Sequence, residues 1–259
     1  NNGDVEKSIE FLRKKGIAKA NKKMERTAAD GIVCISENDN KFSIIEINTE
    51  TDFVAKNKEF LKFAEEISKL TLSNNGKMED ILVSKMENKK NVKDNLVDLI
   101  SKIGEKITLR RSDYIDANNQ KNFSYIHSAT QKNIGKIGVL LSLETTKNNN
   151  EISEFGKQLA MHIAATSPLG IDKENLDQKV LEKEKEIITE ELKNSGKDIK
   201  IVDKIAFGKL NKFISDNTLL NQEWIMEPKK KVKDIMKEVA SKEKIKVIKF
   251  IRFKVGEGI

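Results

Sequence analysis

The sequence contains few of the residues that build disulfide frameworks, zinc sites or membrane spans. Its 259 residues include one cysteine and two histidines. A single cysteine excludes an intramolecular disulfide, and three soft ligands are too few for most structural zinc sites. No apolar run approaches the roughly 18 residues that span a membrane, and no signal-peptide pattern opens the chain. We therefore expect a soluble globular protein of a reducing compartment, with no metal and no cofactor.

Arginine and aromatic residues are also scarce. Aromatic residues make up 5% of the chain, and almost all of the positive charge behind the net +7 comes from lysine. A basic protein suits a polyanionic partner, but base and phosphate recognition rely on arginine, and single-stranded nucleic acid stacks on aromatic rings. The excess of lysine and asparagine is typical of A/T-biased coding. Nucleic acid is therefore not expected as the main partner.

The first half of the chain has the pattern of a hairpin followed by helices and a strand. Two β-branched runs, at residues 31–36 and 41–48, flank a polar turn and predict a β-hairpin. Asn57 is placed to cap an amphipathic helix, and a second helix is expected from Val92 to Gly104, after a loose stretch at 74–91. A strand is expected to begin at Lys106.

Before the hairpin, the first residues predict one short helix. Its apolar stripe is followed by Gly16, which is expected to end the helix, and then by a lysine-rich connector from Lys19 to Arg26. One helix cannot bury its stripe alone, so residues 1–26 are interpreted as the remnant of a helical module and a linker.

The second half repeats the pattern of the first. An offset of 96 residues aligns Ile47 with Leu143 and Ala64 with Ala160, whereas Val92 matches Val232 at an offset of 140, so 44 residues are inserted. The insertion carries two amphipathic segments around Ser195–Lys197 and predicts a helical hairpin at about 174–216.

The predicted fold class is therefore α+β, with two duplicated subdomains that each have a small antiparallel sheet covered by helices. The helical hairpin and a residual N-terminal helix complete it. The expected boundaries are residues 27–117 for the first core subdomain and 118–259 for the second.

The sequence contains no recognisable catalytic machinery. Phosphate-loop, nucleophile-elbow and zinc-helix motifs are absent, and the glycines are scattered. His162 lies in an apolar helical stretch without an acidic neighbour, which favours a packed or rim histidine, and His127 is interpreted in the same way. Cys34 lies in a strand that is expected to be buried, so it is interpreted as an inert hydrophobic residue. We expect a protein that is not an enzyme.

The segment from Thr49 to Asn57 is the exception to this ordinary pattern. It joins a strand to a helix, where loops are normally polar, yet it contains Phe53 and Val54. Phe53 either folds back onto its own helix as a hydrophobic staple, with Asp52 as a local cap, or protrudes as an anchor for a partner's pocket. The residues alone leave both interpretations open.

At this segment the sequence resembles the elongation factor Ts family, the nucleotide exchange factors of the GTPase elongation factor Tu. The family signature T-D-F-V-A-K-N occupies residues 51–57, and three further motifs follow in order: I-G-V-L at 137–140, A-M-H-I-A-A at 160–165, and R-F-x-V-G-E-G-I at 252–259. An opening segment of the family type lies at residues 4–20, so the resemblance covers essentially the whole chain.

The resemblance implies two α+β core subdomains, a protruding helical hairpin and an N-terminal three-helix module of the ubiquitin-associated type. It also implies that the chain starts within that module, without its first two helices, and lacks the helix that often follows G-E-G-I.

It further implies that the loop carrying Asp52 and Phe53 enters the GTPase near its Mg²⁺ and nucleotide site and accelerates release of GDP. The residues expected to bind elongation factor Tu are Thr51, Asp52, Phe53, Val54, Ile137, Gly138 and His162. Gly138, without a Cβ, is expected to let the partner's backbone come close.

Two other functions remain as alternatives. A basic RNA-binding translation protein is motivated by the charge, and an interaction module that self-associates through its helical hairpin is motivated by the insertion. The composition suits an organelle protein, of a plastid or a mitochondrion, from a cell with an A/T-rich genome, or alternatively a protein of the bacterial cytoplasm.

Overall fold

The computed structural model describes residues 5–38, 41–116, 120–146, 149–193, 199–241 and 244–259. The chain divides into two compact units. The first contains Asn1–Ser142 and Phe250–Ile259, and the second contains Leu143–Lys249.

The structure contains nine α-helices and nine strands among the described residues. The helices are α1 (Val5–Lys23), α2 (Asp52–Ala55), α3 (Lys58–Ser73), α4 (Met78–Val83), α5 (Val92–Ile103), α6 (Asn150–Thr166), α7 (Gln178–Lys193), α8 (Ile199–Asn217) and α9 (Val232–Ala240). The strands are β1 (Asp30–Glu37), β2 (Lys41–Thr49), β3 (Thr108–Asp116), β4 (Lys121–His127), β5 (Ile134–Gly135), β6 (Ile137–Thr145), β7 (Glu223–Trp224), β8 (Glu227–Lys231) and β9 (Ile245–Lys254).

The first unit is built on a four-stranded antiparallel sheet with the order β3-β2-β1-β5. The β1–β2 register pairs Cys34 with Ile45, as the predicted hairpin requires. Side chains of β1 and β2 are buried on both faces of this sheet. One face packs on α3 and α5, and the other packs on Leu140, Ile251 and Phe253. Burial on both sides explains why these strands are continuous apolar runs rather than alternating ones.

A second sheet repeats the strand arrangement of the first. Its strand order is β4-β6-β9. The central strand is β6, and the last strand, β9, pairs with it, just as β3 pairs with the central strand β2 in the first sheet. The same order in both halves, with helices between the second and third strands, confirms the α+β class and the duplication.

The second unit contains the inserted helices. Helices α7 and α8 form the predicted helical hairpin, and an ion pair of 2.7 Å joins Lys209 to Glu191 across it. The predicted turn at Ser195–Lys197 lies outside the described residues. A short β7–β8 pair, which was not predicted from the sequence, precedes α9 and contains Pro228. Among the described residues, no helix has the length and apolarity of a membrane span.

Two expectations about helices are wrong. Helix α1 does not end at Gly16 but continues to Lys23, through most of the expected connector. A glycine inside a helix costs only about 1 kcal/mol, and Ala20 is buried in the core of the first unit, so packing outweighs the local preference. The stretch at 74–91 is not loose, because it contains α4 with a fully buried Ile81.

The boundary between the two compact units does not coincide with the expected boundary between the two sequence repeats. The unit boundary passes through β6 and β9. The expected division into residues 1–26, 27–117 and 118–259 stays a prediction.

Candidate functional site

The segment Thr51–Asn57, called the corner below, connects β2 to α3 through the short helix α2. Thr51 is the N-cap of α2, and its hydroxyl accepts a long hydrogen bond of 3.5 Å from the N–H of Val54. Asn57 caps α3, because its side-chain oxygen accepts hydrogen bonds from the N–H groups of Glu59 and Phe60. The chain therefore turns from a strand into a helix within a few residues.

Phe53 points away from the protein at this corner. Its side chain is 83% exposed, whereas the next two residues, Val54 and Ala55, are buried in the core of the first unit. The hydrophobic-staple interpretation of Phe53 is therefore wrong. Since Val54 and Ala55 occupy the inward positions, the ring is left on the solvent side.

Asp52 pairs with Lys56, one helical turn further on. The distance from Lys56 Nζ to Asp52 Oδ2 is 2.8 Å. The hydrogen bond and the positive charge of Lys56 lower the pKa of Asp52, and the same pair raises the pKa of Lys56. Thr51 takes the capping position that the staple interpretation gave to Asp52.

The corner is held from the side by the turn that follows α5. Glu105 accepts two hydrogen bonds from Thr51: one from its N–H at 3.1 Å and one from its hydroxyl at 2.7 Å. In the opposite direction, Glu50 accepts a hydrogen bond of 2.6 Å from the N–H of Lys106. Glu105 was not predicted from the sequence. No local signal marks it, because it lies 54 residues from Thr51, and only the predicted helix end at Gly104 places a turn nearby.

Ile137 is the first residue of β6 and lies in the first unit, as the corner does. The preceding residue, Lys136, forms an ion pair with Asp30 and donates a hydrogen bond of 2.9 Å to the carbonyl of Gly31. Its positive charge also contributes to the lowered pKa of Asp52, after the larger effect of Lys56. The side chain of Ile137 is partly exposed. The structure therefore places Ile137 and the corner in one region.

Gly138, in contrast, is buried. A Cβ at this position would lie 2.6 Å from Val33 Cγ1 and 2.9 Å from Ile44 Cδ1. The space that a side chain would need is thus filled by the protein's own core. The expected reason for this glycine, close approach of a partner's backbone, is replaced by internal packing.

His162 lies in the second unit and is fully buried. Its ring stacks on Trp224 with centroids 5.2 Å apart, and its Nε2 lies 3.1 Å from Gln222 Oε1. Its Nδ1 accepts a hydrogen bond of 3.4 Å from the N–H of Ile225, so the network assigns the ring proton to Nε2. Burial lowers the pKa of His162, against a smaller opposing effect of the bond to Gln222. The packed-histidine interpretation is confirmed.

The remaining reactive side chains form no second centre in the part of the chain that the structure describes. Cys34 is fully buried, and burial raises the pKa of its thiol. His127 is exposed, and its Nδ1 lies 3.2 Å from the hydroxyl of Tyr125. No group of three or more potential metal ligands occurs among the described residues. The corner is therefore the most distinctive surface feature. An exposed aromatic ring on a supported turn is typical of a side chain that anchors in a partner protein.

Comparison with known proteins agrees with the resemblance at the corner. The family model described as "Elongation factor TS" matches residues 50–257. Elongation factor Ts of Bartonella quintana (strain Toulouse) is 41% identical over 266 aligned residues, which cover 100% of this chain and 85% of that protein. Elongation factor Ts of Rickettsia prowazekii (strain Madrid E) is 38% identical, with 99% of this chain and 84% of that protein covered.

The chain therefore belongs to the elongation factor Ts family, a family of translation elongation factors. A further relative, elongation factor Ts of Caulobacter vibrioides, is 38% identical over the full length of this chain. These relatives are bacterial proteins. They agree with the bacterial alternative for the source of this chain and give no support to the organelle expectation.

Proposed function

We propose that this protein is a guanine nucleotide exchange factor that binds elongation factor Tu and accelerates the release of GDP during translation elongation. Family membership supports the partner, and the single observation that supports the site is the 83% exposure of Phe53 on a corner whose neighbouring residues are buried. In this proposal the protein acts in the bacterial cytoplasm and is not an enzyme. It makes and breaks no covalent bond, so we assign it no catalytic residue and no cofactor.

The proposed mechanism is a thermodynamic coupling between two binding partners. A GTPase holds GDP through its phosphate loop, a helix N-terminus and Mg²⁺. A partner that binds best when these elements are displaced weakens nucleotide binding by the same factor, because linkage is reciprocal. In our proposal Phe53 inserts between elements of the GTPase and disturbs its Mg²⁺ site. GDP and GTP are both loosened, and the excess of GTP in the cell sets the direction of exchange.

Asp52 has a supporting role in this proposal. Asp52 either caps a helix of the partner or fixes the direction of Phe53. Its 2.8 Å bond to Lys56, the C-cap of α2, favours the second role, because the carboxylate is already engaged beside the ring. Val54 and Thr51 hold the shape of the corner, through burial and through the N-cap.

The second unit offers a separate contact in this proposal. His162 is buried, so we assign it a positioning role rather than a direct contact. It accepts a hydrogen bond from the N–H of Ile225, and Ile225 and Met226 are 38% and 39% exposed. In this proposal the turn provides apolar surface for another domain of the GTPase, and Ile137 of the first unit is a contact considered by itself.

The experiment that tests the proposal is stopped-flow measurement of a fluorescent GDP derivative leaving elongation factor Tu. We expect the protein to accelerate release strongly. Phe53→Ala removes an exposed anchor, and truncation of an interface hot spot costs at least about 2 kcal/mol. The acceleration should therefore fall about thirtyfold, since each 1.4 kcal/mol is about a factor of ten.

Phe207→Ala is the matched control, because Phe207 is also a highly exposed phenylalanine, 69% exposed on α8. It should keep the wild-type rate. Circular dichroism verifies that both variants are folded. Full acceleration by Phe53→Ala would contradict the assignment of the corner.

The same assay separates the two alternative functions. If the wild-type protein leaves GDP release unchanged but binds RNA with steep salt dependence, the RNA-binding alternative is supported instead. Self-association without any effect on release would support the interaction-module alternative.

A further inference from the structure

The corner and the turn after α5 are joined by two carboxylates that act in opposite directions. Glu105 accepts from the N–H and the hydroxyl of Thr51, and Glu50 accepts from the N–H of Lys106. We call these four residues, Glu50, Thr51, Glu105 and Lys106, the reciprocal clamp. Each of two adjacent residues on one segment is bonded to one of two adjacent residues on the other, which restrains both the position and the direction of the corner.

The hydroxyl of Thr51 connects the clamp to the short helix that carries Phe53. A threonine hydroxyl has one proton and two lone pairs. Its proton is directed to Glu105 Oε1 at 2.7 Å, which leaves a lone pair for the N–H of Val54. Without an acceptor at Glu105, the hydroxyl is free to rotate and to give up the cap. Thr51 also accepts at its carbonyl a 2.9 Å hydrogen bond from the Thr49 hydroxyl.

The direction of the ring depends on this cap, because α2 is only four residues long. Its first two residues are Asp52 and Phe53, so a small change in the orientation of Thr51 is passed directly to the ring. The burial of Val54 and Ala55 keeps the segment attached to the core without Glu105. The clamp therefore contributes alignment of Phe53 rather than the fold of the corner.

The position of Glu105 itself is set by the end of α5. Gly104 adopts the left-handed conformation, with φ of 87°, and its N–H closes the helix on the carbonyl of Ile100. This conformation favours glycine and turns the chain sharply, so that the next side chain is directed to the corner. A carboxylate accepting two hydrogen bonds, one of them from the backbone, is a stronger restraint than a neutral acceptor.

We propose that Glu105 is a positioning residue for nucleotide exchange, which acts through Thr51 to hold Phe53 in the direction that enters the partner. This inference rests on the proposed function. An aligned ring enters the partner without a further ordering cost, whereas a loosened corner is aligned only part of the time and the effective activity falls by that fraction.

The test measures GDP release from elongation factor Tu with Glu105→Ala and Glu105→Gln at several concentrations of the protein. Glu105→Ala removes both acceptors. Glu105→Gln keeps the shape but places an amide donor opposite a donor of Thr51. Both variants should lower the acceleration about tenfold, which corresponds to about 1.4 kcal/mol. Asp98→Ala is the matched control, because it removes a carboxylate whose bond to Lys90 lies on the surface of α5, and it should leave the rate unchanged.

A double-mutant cycle with Phe53→Ala separates positioning from general damage. If Glu105 acts only through the ring, Glu105→Ala should change the remaining acceleration of Phe53→Ala by less than about twofold, since residues that act as one unit are not additive. An equal tenfold loss in both backgrounds would overturn the positioning role. So would a Glu105→Ala protein with the wild-type rate.

Two further outcomes are decisive. If Glu105→Ala does not fold, by circular dichroism, Thr51→Val takes its place. This change removes the hydroxyl bond to Glu105 together with the cap on the N–H of Val54, and it keeps the backbone bond from Thr51 to Glu105. A wild-type rate for that variant would overturn the inference. If the wild-type protein itself fails to accelerate release, the proposed function fails and the inference falls with it. Wild-type acceleration with a fully active Glu105→Ala removes the positioning role alone.

Discussion

At the scale of single residues, Gly138 shows how a position in a family motif is determined by the protein's own core. It lies at the start of β6 against the face of the first sheet formed by Val33 and Ile44. Distances of 2.6 and 2.9 Å from an added Cβ to these side chains are shorter than van der Waals contact. Both neighbours are fully buried, so they have little room to move away.

Gly138→Ala should therefore destabilise the protein. Inserting a methyl group into a packed core costs about 1 to 3 kcal/mol, and the free energy of unfolding in urea should fall by that amount. Gly208→Ala is the matched control, because a Cβ at Gly208 in α8 meets nothing within 4 Å. That change should stabilise its helix by about 0.5 to 1 kcal/mol. Equal stability of Gly138→Ala and wild type would contradict the packing explanation.

The candidate site could be predicted from the sequence only in part. The signature at residues 51–57 predicts the position of the candidate site, and Asn57 was predicted as a cap from its residue type alone. The direction of Phe53 could not be derived, because it depends on which of three neighbouring apolar residues the core accepts. Glu105 was not predicted, because its partner is distant in the sequence. His162 was correctly predicted to be packed, from its apolar neighbours.

At the scale of secondary-structure elements, a buried carboxylate joins two strands to the C-terminal segment. Glu46, in the middle of β2, is fully buried and accepts hydrogen bonds from Arg110 at 2.9 Å and Arg111 at 2.6 Å on β3. It also accepts a 2.8 Å bond from the N–H of Gly256, just after β9. A buried carboxylate of this kind is strongly destabilising only when its partners are removed.

The stability of this connection should depend on pH. Burial by itself raises the pKa of Glu46, but the hydrogen bonds from Gly256, Asn48 and the two arginines outweigh burial and keep the pKa below its usual 4.5. A group with a lowered folded-state pKa contributes stability that is present above the unfolded value and is lost as pH falls through the folded value. The free energy of unfolding should therefore decrease as pH falls below 4.5.

Glu46→Gln tests this expectation in urea unfolding measured across a pH series. At pH 7 it should destabilise the protein by about 3 kcal/mol, because two arginines lose their carboxylate. Below pH 4.5 its stability should fall less steeply than that of wild type. Glu59→Gln, which breaks an exposed pair with Lys102, should change stability by less than about 1 kcal/mol. Parallel acid curves for wild type and Glu46→Gln would contradict the assignment.

Elements with strong periodicity and clear ends were predicted well. The hairpin β1–β2, helix α3 with its Asn57 cap, and helix α5 with its Gly104 end lie where the sequence predicts them. Helix α1 was predicted too short because local signals at Gly16 are weaker than packing. Helix α4 and the β7–β8 pair were missed because each is short and depends on contacts with the rest of its unit.

At the scale of the whole molecule, the helical hairpin is an insertion whose two ends lie next to each other in the second unit. The N–H of Leu169 donates to the carbonyl of Asn217 at 2.9 Å, and the N–H of Leu219 donates to the carbonyl of Gly170 at 2.9 Å. The chain before α7 and the chain after α8 are therefore joined by backbone hydrogen bonds. An insertion with adjacent ends imposes little on the unit that carries it.

Shortening the hairpin should therefore leave the second unit folded. Replacing residues 184–207 by a short glycine-containing turn removes the outer part of α7 and α8 but keeps the bonded ends. Trp224 is the single tryptophan and is 3% exposed, stacked on Phe155 and His162, so its fluorescence reports the fold of this unit.

We expect the emission maximum of Trp224 to stay at the position of a buried tryptophan, and the midpoint of thermal unfolding to change by less than about 4 °C, equivalent to less than about 1 kcal/mol. Emission shifted to that of a solvent-exposed tryptophan would show that the hairpin is part of the core of the unit.

Sedimentation velocity on the same variant tests the self-association alternative. If the protein with the intact hairpin forms dimers and the shortened protein does not, the hairpin is the contact between copies. Exchange on elongation factor Tu does not require that role.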